Sequence, residues 1–399
     1  MTEHLVLIAG GGPVGAIAAL ALARQGVAVR VFEADAAIDE SPRAATTHPA
    51  TLEMLADLRL IDDLIARGLV ARTFQFWDRP SGQLIAEFDH AVLARDTPYP
   101  FVVQCEQHKL VNLAIERLRG FADASYEFSA QVTEAEADAH AVAVTVRRGN
   151  RTERVTGSYL IGADGGRSTV RKALGIAFEG YTFPERFLVL TTPFDFARER
   201  GCGFRSYFSD PDEWANLFKV AGNDGRGLWR VVFPTLPGET DEEIFNEDSV
   251  QQRLQKFFPK SGTYPIVHRN LYNVHQRVAA RFSHGRVFLA GDAAHINNPI
   301  GGLGLNCGIH DAVELAGLLG KVLRGEEDED HLALYDARRR PINMKYVQEQ
   351  TIANKKRLEA KDPNARAENF AFLRRTAADA AAHRAFLLRT SLLESVRRG

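Results

Sequence analysis

The stretch that decides the fold is LVLIAGGGPVGAIAALALARQG, residues 5–26, followed by a glutamate at position 33 in VAVRVFEAD. The apolar run before the glycines predicts a buried β-strand, and the Ala- and Leu-rich run after them predicts a helix. Gly10 and Gly12 permit a tight turn and a close backbone approach, while Gly15 lets the helix pack against the strand. Glu33 follows Gly15 by 18 residues, a spacing at which a carboxylate can bind ribose hydroxyls. The stretch therefore predicts a βαβ unit that holds a pyrophosphate at a helix N-terminus.

Composition and charge indicate a large globular protein. The 399 residues suffice for two or three domains, or for one large core with an inserted sheet. The apolar share of 45% and the charged share of 25% are ordinary, and the net charge of −2 indicates no nucleic-acid partner. Cys105, Cys202 and Cys307 form no metal or disulfide pattern, so we predict no metal site and a reducing, cytoplasmic location. No segment has about 18 uninterrupted apolar residues, so no membrane span is predicted.

Hydrophobic periodicity predicts elements that interleave along the chain. Helices are predicted at 48–70 and 106–119, hairpins at 73–90 and 139–160, a buried strand at 159–166, an antiparallel sheet at 181–275 that includes a helix at 241–258, a strand, turn and helix at 286–325, and one or two helices at 360–399. Strands that alternate with helices favour an α/β fold, and the long stretch of alternation favours a separate antiparallel sheet.

A second motif, GADGGRSTVRKALG at residues 162–175, ends a strand in a tight turn. Asp164 and Gly165 form the turn, and Ser168 is placed to cap the helix that follows. Taken alone, this stretch is best explained as an Asx-turn with a capped helix.

A third motif is RVFLAGDAAHINNPIGGLGLNCGIHDAVELAGLL, residues 286–319. Asp292 is placed at the carboxyl edge of a strand, where a carboxylate can bind a ribityl hydroxyl. The glycine-rich loop leads into a helix near Asn306, whose N-terminal N–H groups can face an electron-rich carbonyl. His295 is expected to be a structural hydrogen-bonding residue rather than a catalytic one.

In this order the three motifs resemble those of the class A flavoprotein monooxygenases, the aromatic hydroxylases similar to para-hydroxybenzoate hydroxylase. The resemblance runs from Leu5 to about Pro341. It implies that FAD is held non-covalently and that NADH or NADPH, together with O₂, is consumed. The implied reaction hydroxylates an aromatic or heteroaromatic ring of phenol or pyridine type, with or without a carboxylate, through a flavin C4a-hydroperoxide.

The resemblance also implies the residues of the cofactor site. Those implied to bind FAD are Gly10, Gly12, Gly15, Glu33, Arg43, Gln104, Val132, Asp164, Asp292, Pro299, Gly304, Leu305 and Asn306. Arg43 would approach the flavin and the pyrophosphate, Gln104 would lie near the ribityl chain, and Asp292 would bind that chain. Asp164 matches a fingerprint for both FAD and NAD(P)H, and the carbonyl of Pro299 would lie near the reacting centre.

The fold implied by the resemblance is a Rossmann-like FAD-binding domain of the GR2 type with an inserted substrate sheet. The FAD-binding domain is expected at residues 1–72, 101–180 and 276–345. The mixed or antiparallel substrate sheet is expected at 73–100 and 181–275, and C-terminal helices at 346–399. The sequence leaves open whether these helices form a homodimer contact or cover the flavin domain.

The substrate side is marked by candidate residues rather than by a motif. Arg230 lies in the strand-like GLWRVVFP and needs an anion, either a substrate carboxylate or a structural Asp or Glu. Candidates for a base that activates a phenol are His48, Tyr181, Tyr207, Tyr264 and His268, and candidates for an aromatic wall are Trp214, Phe218 and Trp229. We take Pro299, Arg230, His48 and Tyr207 as the catalytic candidates, although each of the candidate bases is of a residue type more often found in a packed or surface role.

One departure and two alternatives remain open. The family often carries two prolines after GDAAH, whereas here Asn298 precedes Pro299, which is expected to alter the mouth of the substrate site. A non-oxygenating flavin oxidoreductase, similar to a geranylgeranyl reductase or a halogenase, is one alternative, although the halogenase W-x-W-x-I motif is absent. A flavin-binding scaffold is the other, and the intact glycine loop argues against it.

Overall fold

The computed structural model describes residues 4–397, and a mainly parallel β-sheet, here called the parallel sheet, forms its centre. In spatial order its strands are β18 (Ser283–His284), β19 (Val287–Leu289), β12 (Tyr159–Gly162), β1 (Leu5–Ala9), β2 (Ala28–Phe32) and β8 (Ala124–Glu127). The first of these pairs antiparallel with its neighbour, and the other five run parallel. The predicted α/β fold class is therefore confirmed.

The central strand shows how the N-terminal motif folds. β1 is almost entirely buried and lies between β2 and β12, as expected for an apolar run in a parallel sheet. The chain leaves it at Gly10, where a φ of +91° favours glycine, and then enters α1 (Pro13–Ala23) with its proline in the first turn. Because the chain connections diverge on the two sides of β1, a crevice opens beyond its carboxyl end.

The largest sheet, here called the large sheet, has eight strands. In spatial order they are β20 (His295–Ile296), β17 (His268–Ala279), β13 (Phe178–Thr192), β16 (Leu228–Pro234), β15 (Ala215–Val220), β14 (Arg205–Ser209), β5 (Thr73–Asp78) and β6 (Gln83–Asp89). The antiparallel pairing predicted within 181–275 is confirmed, as is the hairpin at 73–90. The sheet is mixed because β14 pairs parallel with β5.

Two three-stranded sheets contain the remaining described strands. They are β11 (Arg151–Gly157), β10 (Val142–Arg148) and β9 (Gln131–Ala137), and β3 (Thr46–Thr47), β7 (Val102–Gln104) and β4 (Leu69–Ala71). β10 and β11 confirm the hairpin predicted at 139–160. β9 was not predicted, because its sequence QVTEAEA carries acids at exposed positions and contains few residues typical of strands.

The helices differ from prediction at three places, one of which is the single helix predicted at 241–258, because Asn246 divides it into two helices. The other α-helices are α2 (Pro49–Asp57), α3 (Ile61–Arg67), α4 (Gln107–Leu118), α5 (Thr169–Ala173), α6 (Phe196–Arg200), α7 (Asp241–Phe245), α8 (Glu247–Phe257), α9 (Gly304–Leu323), α10 (Ala333–Ile342), α11 (Glu349–Leu358), α12 (Pro363–Ala378), α13 (Ala380–Thr390) and α14 (Leu393–Arg397). The single helix predicted at 48–70 is wrong, because Arg59 adopts a φ of +57° between α2 and α3 and residues 69–71 form β4. The predicted stretch 360–399 contains three helices rather than one or two, and its last two residues lie outside the described part.

The C-terminal helices pack on the large sheet rather than on the parallel sheet. The rings of His383 and Phe386, both in α13, lie with their centroids 5.2 and 4.6 Å from that of Phe88 in β6. Arg366 in α12 donates to the Ser209 carbonyl of β14 at 2.8 Å. These helices therefore cover the strands β14, β5 and β6 of the large sheet. The contacts of α12 and α13 are not with the flavin domain.

Two further properties concern the chain as a whole. No helix within residues 4–397 is long and apolar enough to cross a membrane. Cys105, Cys202 and Cys307 are buried free thiols, and burial raises the pKa of each to about 12. A thiol with so high a pKa is a poor nucleophile at neutral pH, so the three cysteines serve as packing residues.

Candidate active site

A cavity of about 1020 Å³ lies between the carboxyl edge of the parallel sheet and one face of the large sheet. Most of the residues predicted to bind the cofactor line this cavity: Gly10, Gly12, Glu33, Arg43, Val132, Asp164, Asp292, Pro299, Gly304 and Leu305. Gly15, Gln104 and Asn306 were also predicted to bind it but do not line the cavity. The fold thus brings most of the predicted set together from four separate stretches of the chain.

The glycine turn forms one end of the cavity. A side chain at Gly10 would place its Cβ 2.7 Å from the Cα of Asp164, so glycine is required for the two loops to meet. Gly12 has no neighbour within 4 Å of a Cβ position and precedes α1 without a side-chain cap. The first-turn N–H groups of α1 are therefore available to an anion. Gly15 packs against the Gly10 carbonyl, so its role is close contact between helix and strand.

The Glu33 carboxylate lies beside this turn and is held by backbone donors. Its Oε2 accepts from the Gly11 N–H at 2.7 Å, and its Oε1 accepts from the Asp35 N–H at 2.9 Å. The hydroxyl of Tyr126 donates to the Gly11 carbonyl at 2.7 Å. Because each carboxylate oxygen has a second lone pair, Glu33 can still accept hydrogen bonds from ribose hydroxyls.

Asp164 presents a carboxylate oxygen that no protein donor satisfies. Its Oδ2 accepts from the N–H groups of Thr169 at 2.7 Å and Val170 at 3.1 Å, whereas its buried Oδ1 has no partner within residues 4–397. The predicted helix cap is confirmed, since the Ser168 hydroxyl accepts from the Arg171 N–H at 2.9 Å. A buried carboxylate oxygen without a donor is costly, so Asp164 fits a hydroxyl supplied by a ligand.

Asp292 lies in a single turn, Gly291–Ala293, that follows β19. Its carboxylate opens into the cavity but has protein on its other sides, and this desolvation raises its pKa. The turn is braced by His295, whose Nε2 lies 2.7 Å from Asp311 Oδ2, while Arg339 Nε donates to Asp311 Oδ1 at 2.8 Å. The hydrogen bond of His295 agrees with the structural role expected for it.

The side chains of Gln104 and Asn306 lie behind the cavity wall, and their predicted contact with the cofactor stays a prediction. Gln104 Oε1 accepts from the Thr46 hydroxyl at 2.9 Å, and Asn306 Nδ2 donates to the Thr46 carbonyl at 2.8 Å. Thr46 itself lines the cavity, so both residues position the wall. Sequence reasoning missed Gln107, which lines the cavity at the start of α4. Its position at a helix N-terminus was the available signal.

Arg43 lies at the rim of the cavity. Its side chain is 58% exposed and pairs with Asp39 at 2.8 Å. Its carbonyl accepts a hydrogen bond from Arg230 Nη1 at 2.8 Å. The predicted approach of its guanidinium to the pyrophosphate stays a prediction, and in this structure it is the main chain of Arg43 that contacts the large sheet.

The wall residues fit FAD. The glycine turn and the N-terminus of α1 supply backbone donors at one end. The carboxylates of Glu33, Asp164 and Asp292 face the cavity along its length, and one oxygen of Asp164 is unpartnered among the described residues. The volume of the cavity is at the upper end of the about 300–1,000 Å³ typical of small-molecule sites, as a dinucleotide together with a substrate requires.

Arg230 projects from β16 into the same cavity, and it is 8% exposed. Burial lowers its pKa, and its Nε has no hydrogen-bond partner among the described residues. In residues 4–397 no carboxylate lies within 4.0 Å of its guanidinium. Of the two alternatives for its anion, a direct ion pair with a structural Asp or Glu is therefore not found. The Glu106 carboxylate attracts Arg230 only from beyond that distance and pairs with Lys109 at 2.8 Å, which leaves Arg230 able to bind a ligand anion.

The candidate bases separate into two groups. Tyr181 and His268 are exposed, and Tyr264 lies in the aromatic core on the other face of the large sheet. His48 and Tyr207 are buried and line a second cavity, of about 30 Å³. The two catalytic candidates among these five residues thus line a cavity, whereas the other three line neither the large nor the small one.

The candidate aromatic wall residues also separate. Phe218 lines the large cavity, whereas Trp229 is buried in the core on the opposite face of the sheet and Trp214 packs edge-on against Phe187. Sequence reasoning missed Tyr272 of β17, which lines the cavity and whose pKa is raised by burial. Its strand was predicted, but no pattern in the sequence marked which face this tyrosine occupies.

The residue before Pro299 anchors the loop that carries it. The N–H and Nδ2 of Asn298 both donate to Gln276 Oε1 at 3.1 Å, and Gln276 Nε2 donates to Gln348 Oε1 at 2.5 Å. The loop is thereby tied to β17 and to a π-helical turn, Asn343–Gln348. The carbonyl of Pro299 accepts from the Gly302 N–H at 3.0 Å. Side-chain hydrogen bonds thus hold the loop where the family often has a second proline.

Comparisons with known proteins agree with this site. A family profile described as FAD binding domain matches residues 3–350. The chain is 34% identical over 386 residues to para-nitrophenol 4-monooxygenase of Pseudomonas sp. strain WBC-3, covering 96% of this chain and 94% of that protein. It is 35% identical over 340 residues to 6-hydroxy-3-succinoylpyridine 3-monooxygenase of Pseudomonas putida, covering 85% and 84%.

The fold agrees with a solved structure as well. The crystal structure of p-nitrophenol 4-monooxygenase from Pseudomonas putida DLL-E4 superimposes with a TM-score of 0.91 at 34% identity, covering 97% of this chain and 96% of that one. A flavin-dependent monooxygenase solved with FAD and substrate gives a TM-score of 0.81 at 25% identity, covering 99% of this chain and 71% of that one. The predicted Rossmann-like FAD-binding fold and the predicted cofactors FAD and NAD(P)H are confirmed. The chain belongs to the FAD-binding-domain family of FAD-dependent aromatic hydroxylases.

Proposed function

We propose that the protein hydroxylates a phenol or a hydroxypyridine that binds against the cavity face of the large sheet. The observation that carries this proposal is a set of buried polar side chains on that face whose hydrogen bonds are incomplete. Arg230 Nε and Asn216 Oδ1 have no partner among the described residues, although Asn216 is only 2% exposed. Groups of this kind favour a polar aromatic ligand over a hydrocarbon chain.

The similar proteins support the same substrate class. One is named for para-nitrophenol and another for a 6-hydroxypyridine, and both names describe monooxygenases. These names favour oxygenation over a non-oxygenating flavin oxidoreductase and over a flavin-binding scaffold. FAD, when bound, supplies electron transfer from NAD(P)H and the activation of O₂. The residues of this chain bind and orient the two organic partners and exclude water.

The proposed roles divide between the two sides of the cavity. Gly10, Gly12 and Glu33 hold the AMP half of FAD, Asp164 and Asp292 accept hydrogen bonds from its hydroxyls, and the start of α9 faces its ring through backbone N–H groups. On the large sheet, Arg230 binds an anionic or strongly polar substituent of the substrate. His48 and Tyr207, which line the small cavity rather than the large one, stay candidates for the base that activates a ring hydroxyl.

The test is substrate-stimulated oxidation of NADH or NADPH together with oxygen uptake, over a panel of nitrophenols, hydroxybenzoates and hydroxypyridines. We expect at least one phenol or hydroxypyridine to accelerate both rates and to gain one atom of labelled oxygen by mass spectrometry. Oxidation of NAD(P)H with steady release of peroxide and no labelled product from any of these compounds would contradict the proposal. Benzene derivatives without an electron-donating group serve as the negative control.

A further inference from the structure

The loop between β20 and α9, residues 297–303, is neither strand nor helix, yet much of it is buried. Pro299 is exposed and lines the large cavity, whereas its neighbours Asn298 and Ile300 are 0% and 1% exposed. Buried main-chain groups need hydrogen-bond partners, and a loop cannot find them in a regular helix or sheet ladder. In this loop most of the partners are side chains from other elements.

Gln276 of β17 supplies the partner at the start of the loop. Backbone pairing between β17 and β20 ends at Arg277 and Ile296, and the side chain of Gln276 continues the contact beyond that point. Its Oε1 accepts from the N–H and from the Nδ2 of Asn298, each at 3.1 Å. Asn298 Oδ1 in turn accepts from the Ile300 N–H at 3.2 Å. One amide oxygen therefore fixes both the main chain and the side chain of Asn298.

The Gln276 amide is itself held from behind by the chain that leads into α11. Its Nε2 donates to Gln348 Oε1 at 2.5 Å and to Thr351 Oγ1 at 3.1 Å, and the Nε2 of Gln348 donates to the Ile296 carbonyl at 3.2 Å. A main-chain N–H can only donate and a carbonyl can only accept, so Asn298 and Ile296 fix the orientation of both amides. All three polar side chains are buried, so the network has one arrangement.

The far end of the loop is held in the same way. Three successive carbonyls accept hydrogen bonds from side chains: that of Ile300 from Asn354 at 3.3 Å, that of Gly301 from His48 at 2.9 Å, and that of Gly302 from Asn306 at 2.6 Å. Because Thr351 and Asn354 both belong to α11, this helix braces the loop at its two ends. The role of the C-terminal helices, which the sequence left open, includes this support.

The position of the loop matters because its two ends carry parts of the cavity wall. Pro299 lines the large cavity, and the loop leads into Gly304 and Leu305 of α9, which line it as well. A displacement of about 1 Å at a reacting centre can cost about 100-fold in rate, and a wall that opens admits water. Gln276 itself does not line the cavity, so it can act on the reaction only through the loop.

We propose that Gln276 is a positioning residue, which holds the loop so that the Pro299 carbonyl and the start of α9 keep their places in the cavity wall. The position of the loop then determines what fraction of the oxidised NAD(P)H yields hydroxylated product rather than peroxide. This inference rests on the proposed function for that reaction. It also assigns α11 to the frame of the active site, through the contacts of Gln348 and Thr351 with Gln276.

The first test is hydrogen–deuterium exchange of the FAD-loaded protein without substrate or NAD(P)H, read on peptides that cover residues 297–303. Gln276→Leu leaves both donors of Asn298 without an acceptor, so the loop amides should exchange at least about 10-fold faster than in wild type. Peptides that cover the glycine turn, residues 8–14, should exchange as in wild type, since that turn lies at the other end of the cavity.

Gln251→Leu is the matched control. Gln251 also bridges a main-chain N–H and a carbonyl, both of Tyr264, at 2.7 and 2.9 Å, but it lines neither cavity. Its loss should leave exchange of the loop unchanged. FAD content and melting temperature show whether each variant is folded and loaded.

The second test is the yield of hydroxylated product per NAD(P)H oxidised, with the panel compound that wild type converts fastest. Gln276→Leu should lower this yield at least about threefold and release the difference as peroxide. Its FAD dissociation constant should stay within about twofold of wild type, because the glycine turn is distant. A merely structural role would lower stability or FAD content and leave the yield of the loaded fraction unchanged.

A proline at position 298 provides the rescue. Proline has no N–H and no side-chain donor to satisfy, and its ring fixes φ near −65°. Gln276→Leu combined with Asn298→Pro should therefore recover loop protection and product yield to within about threefold of wild type. The recovery is incomplete because the Ile300 N–H loses Asn298 Oδ1 as its acceptor.

Several outcomes would overturn the inference. They are unchanged loop exchange in loaded Gln276→Leu, faster exchange with a wild-type yield, an equal fall in yield in Gln251→Leu, and no recovery in the folded double variant. If Gln276→Leu does not fold, Gln348→Leu decides, since it removes the acceptor that orients Gln276, and unchanged loop exchange there would reject the network. Failure of the proposed function is distinct: wild type then hydroxylates no compound of the panel, whereas loop exchange is measured without substrate.

Discussion

The two ends of the large cavity are built in different ways. The cofactor end consists mainly of backbone groups and carboxylates at strand ends, each placed by a short local motif such as Gly10–Gly12 or the turn around Asp292. The substrate end consists of side chains on the strands β13 to β17, which meet through pairing between distant residues. The difference teaches that a cofactor shared by many enzymes can be bound by local chain geometry. A particular substrate is selected by side chains that come together only when the strands of the sheet pair.

The largest expected effect tests whether backbone approach is what the cofactor end requires. Gly10→Ala should lower the free energy of unfolding by about 3–5 kcal/mol and should weaken FAD binding. The substitution combines an unfavourable positive φ with a collision against Asp164 and Ala163. FAD content after purification and the FAD dissociation constant measure it. Gly26→Ala is the matched control, because Gly26 has a φ of +77° but nothing within 4 Å, and it should cost about 1–2 kcal/mol with normal FAD binding. Equal losses in the two variants would show that close approach is unimportant.

At the substrate end, Arg230→Met should discriminate between charged and neutral ligands. Loss of a partly desolvated ion pair costs on the order of 2–5 kcal/mol, so KM for a carboxylated substrate should rise far more than KM for its neutral amide. Steady-state kinetics on the acid and the amide measure the difference. Arg269→Met, which removes an arginine of β17 that donates to the Phe245 carbonyl, should affect both compounds little. An equal rise for acid and amide in Arg230→Met would assign Arg230 to the structure or to the flavin.

Arg43 lies at the rim between the cofactor end and the substrate end. Its substitution tests whether its side chain contributes to FAD binding. Arg43→Ala should weaken FAD binding by about 1.5–3 kcal/mol if its guanidinium reaches the pyrophosphate, since a charge-assisted hydrogen bond is worth that amount. The backbone contact from Arg230 to its carbonyl would survive the substitution. Asp39→Ala removes the exposed ion pair with Arg43, together with the acceptor of the Ser41 N–H, and keeps the Arg43 guanidinium, so it is the control. Unchanged FAD affinity and flavin reduction rate in Arg43→Ala would refute the role implied for this side chain.

The smallest effect concerns acid stability. Burial lowers the pKa of His90 to about 4, so below its ordinary value of 6.5 the unfolded chain binds a proton that the folded protein does not. The contribution of neutral His90 to the free energy of unfolding is fully present above pH 6.5. It is lost as the pH falls, by about 2 kcal/mol between pH 7 and pH 5. Urea unfolding at the two pH values should therefore show a smaller loss in His90→Gln than in wild type. The exposed His140→Gln serves as the control, and identical losses in all three proteins would contradict the assignment.

The same contrast explains how much the sequence could predict. The parallel sheet, most of the cofactor wall and the hairpins follow from short-range patterns, and the structure contains them. Gln104 was predicted and Gln107 was missed, because the sequence does not show how the chain turns between the end of β7 and the start of α4. That turn decides which of the two glutamines, three residues apart, lines the cavity. Tyr272 was missed because no short-range pattern shows which face of its strand borders the cavity. That face is set by the pairing of β17 with β13, whose residues come from another part of the chain.

The interleaving of the two sheets has a consequence for how such proteins diversify. Strands of the large sheet come from residues 73–89, 178–279 and 295–296, between stretches that build the parallel sheet. Within the described chain no single junction separates one sheet from the other, so recombination with a related gene would disrupt both cores. Point substitution on the cavity face of β14, β15 and β16 leaves both cores intact. A change of substrate is therefore achieved most readily by single substitutions on this face, which leave the flavin site unchanged.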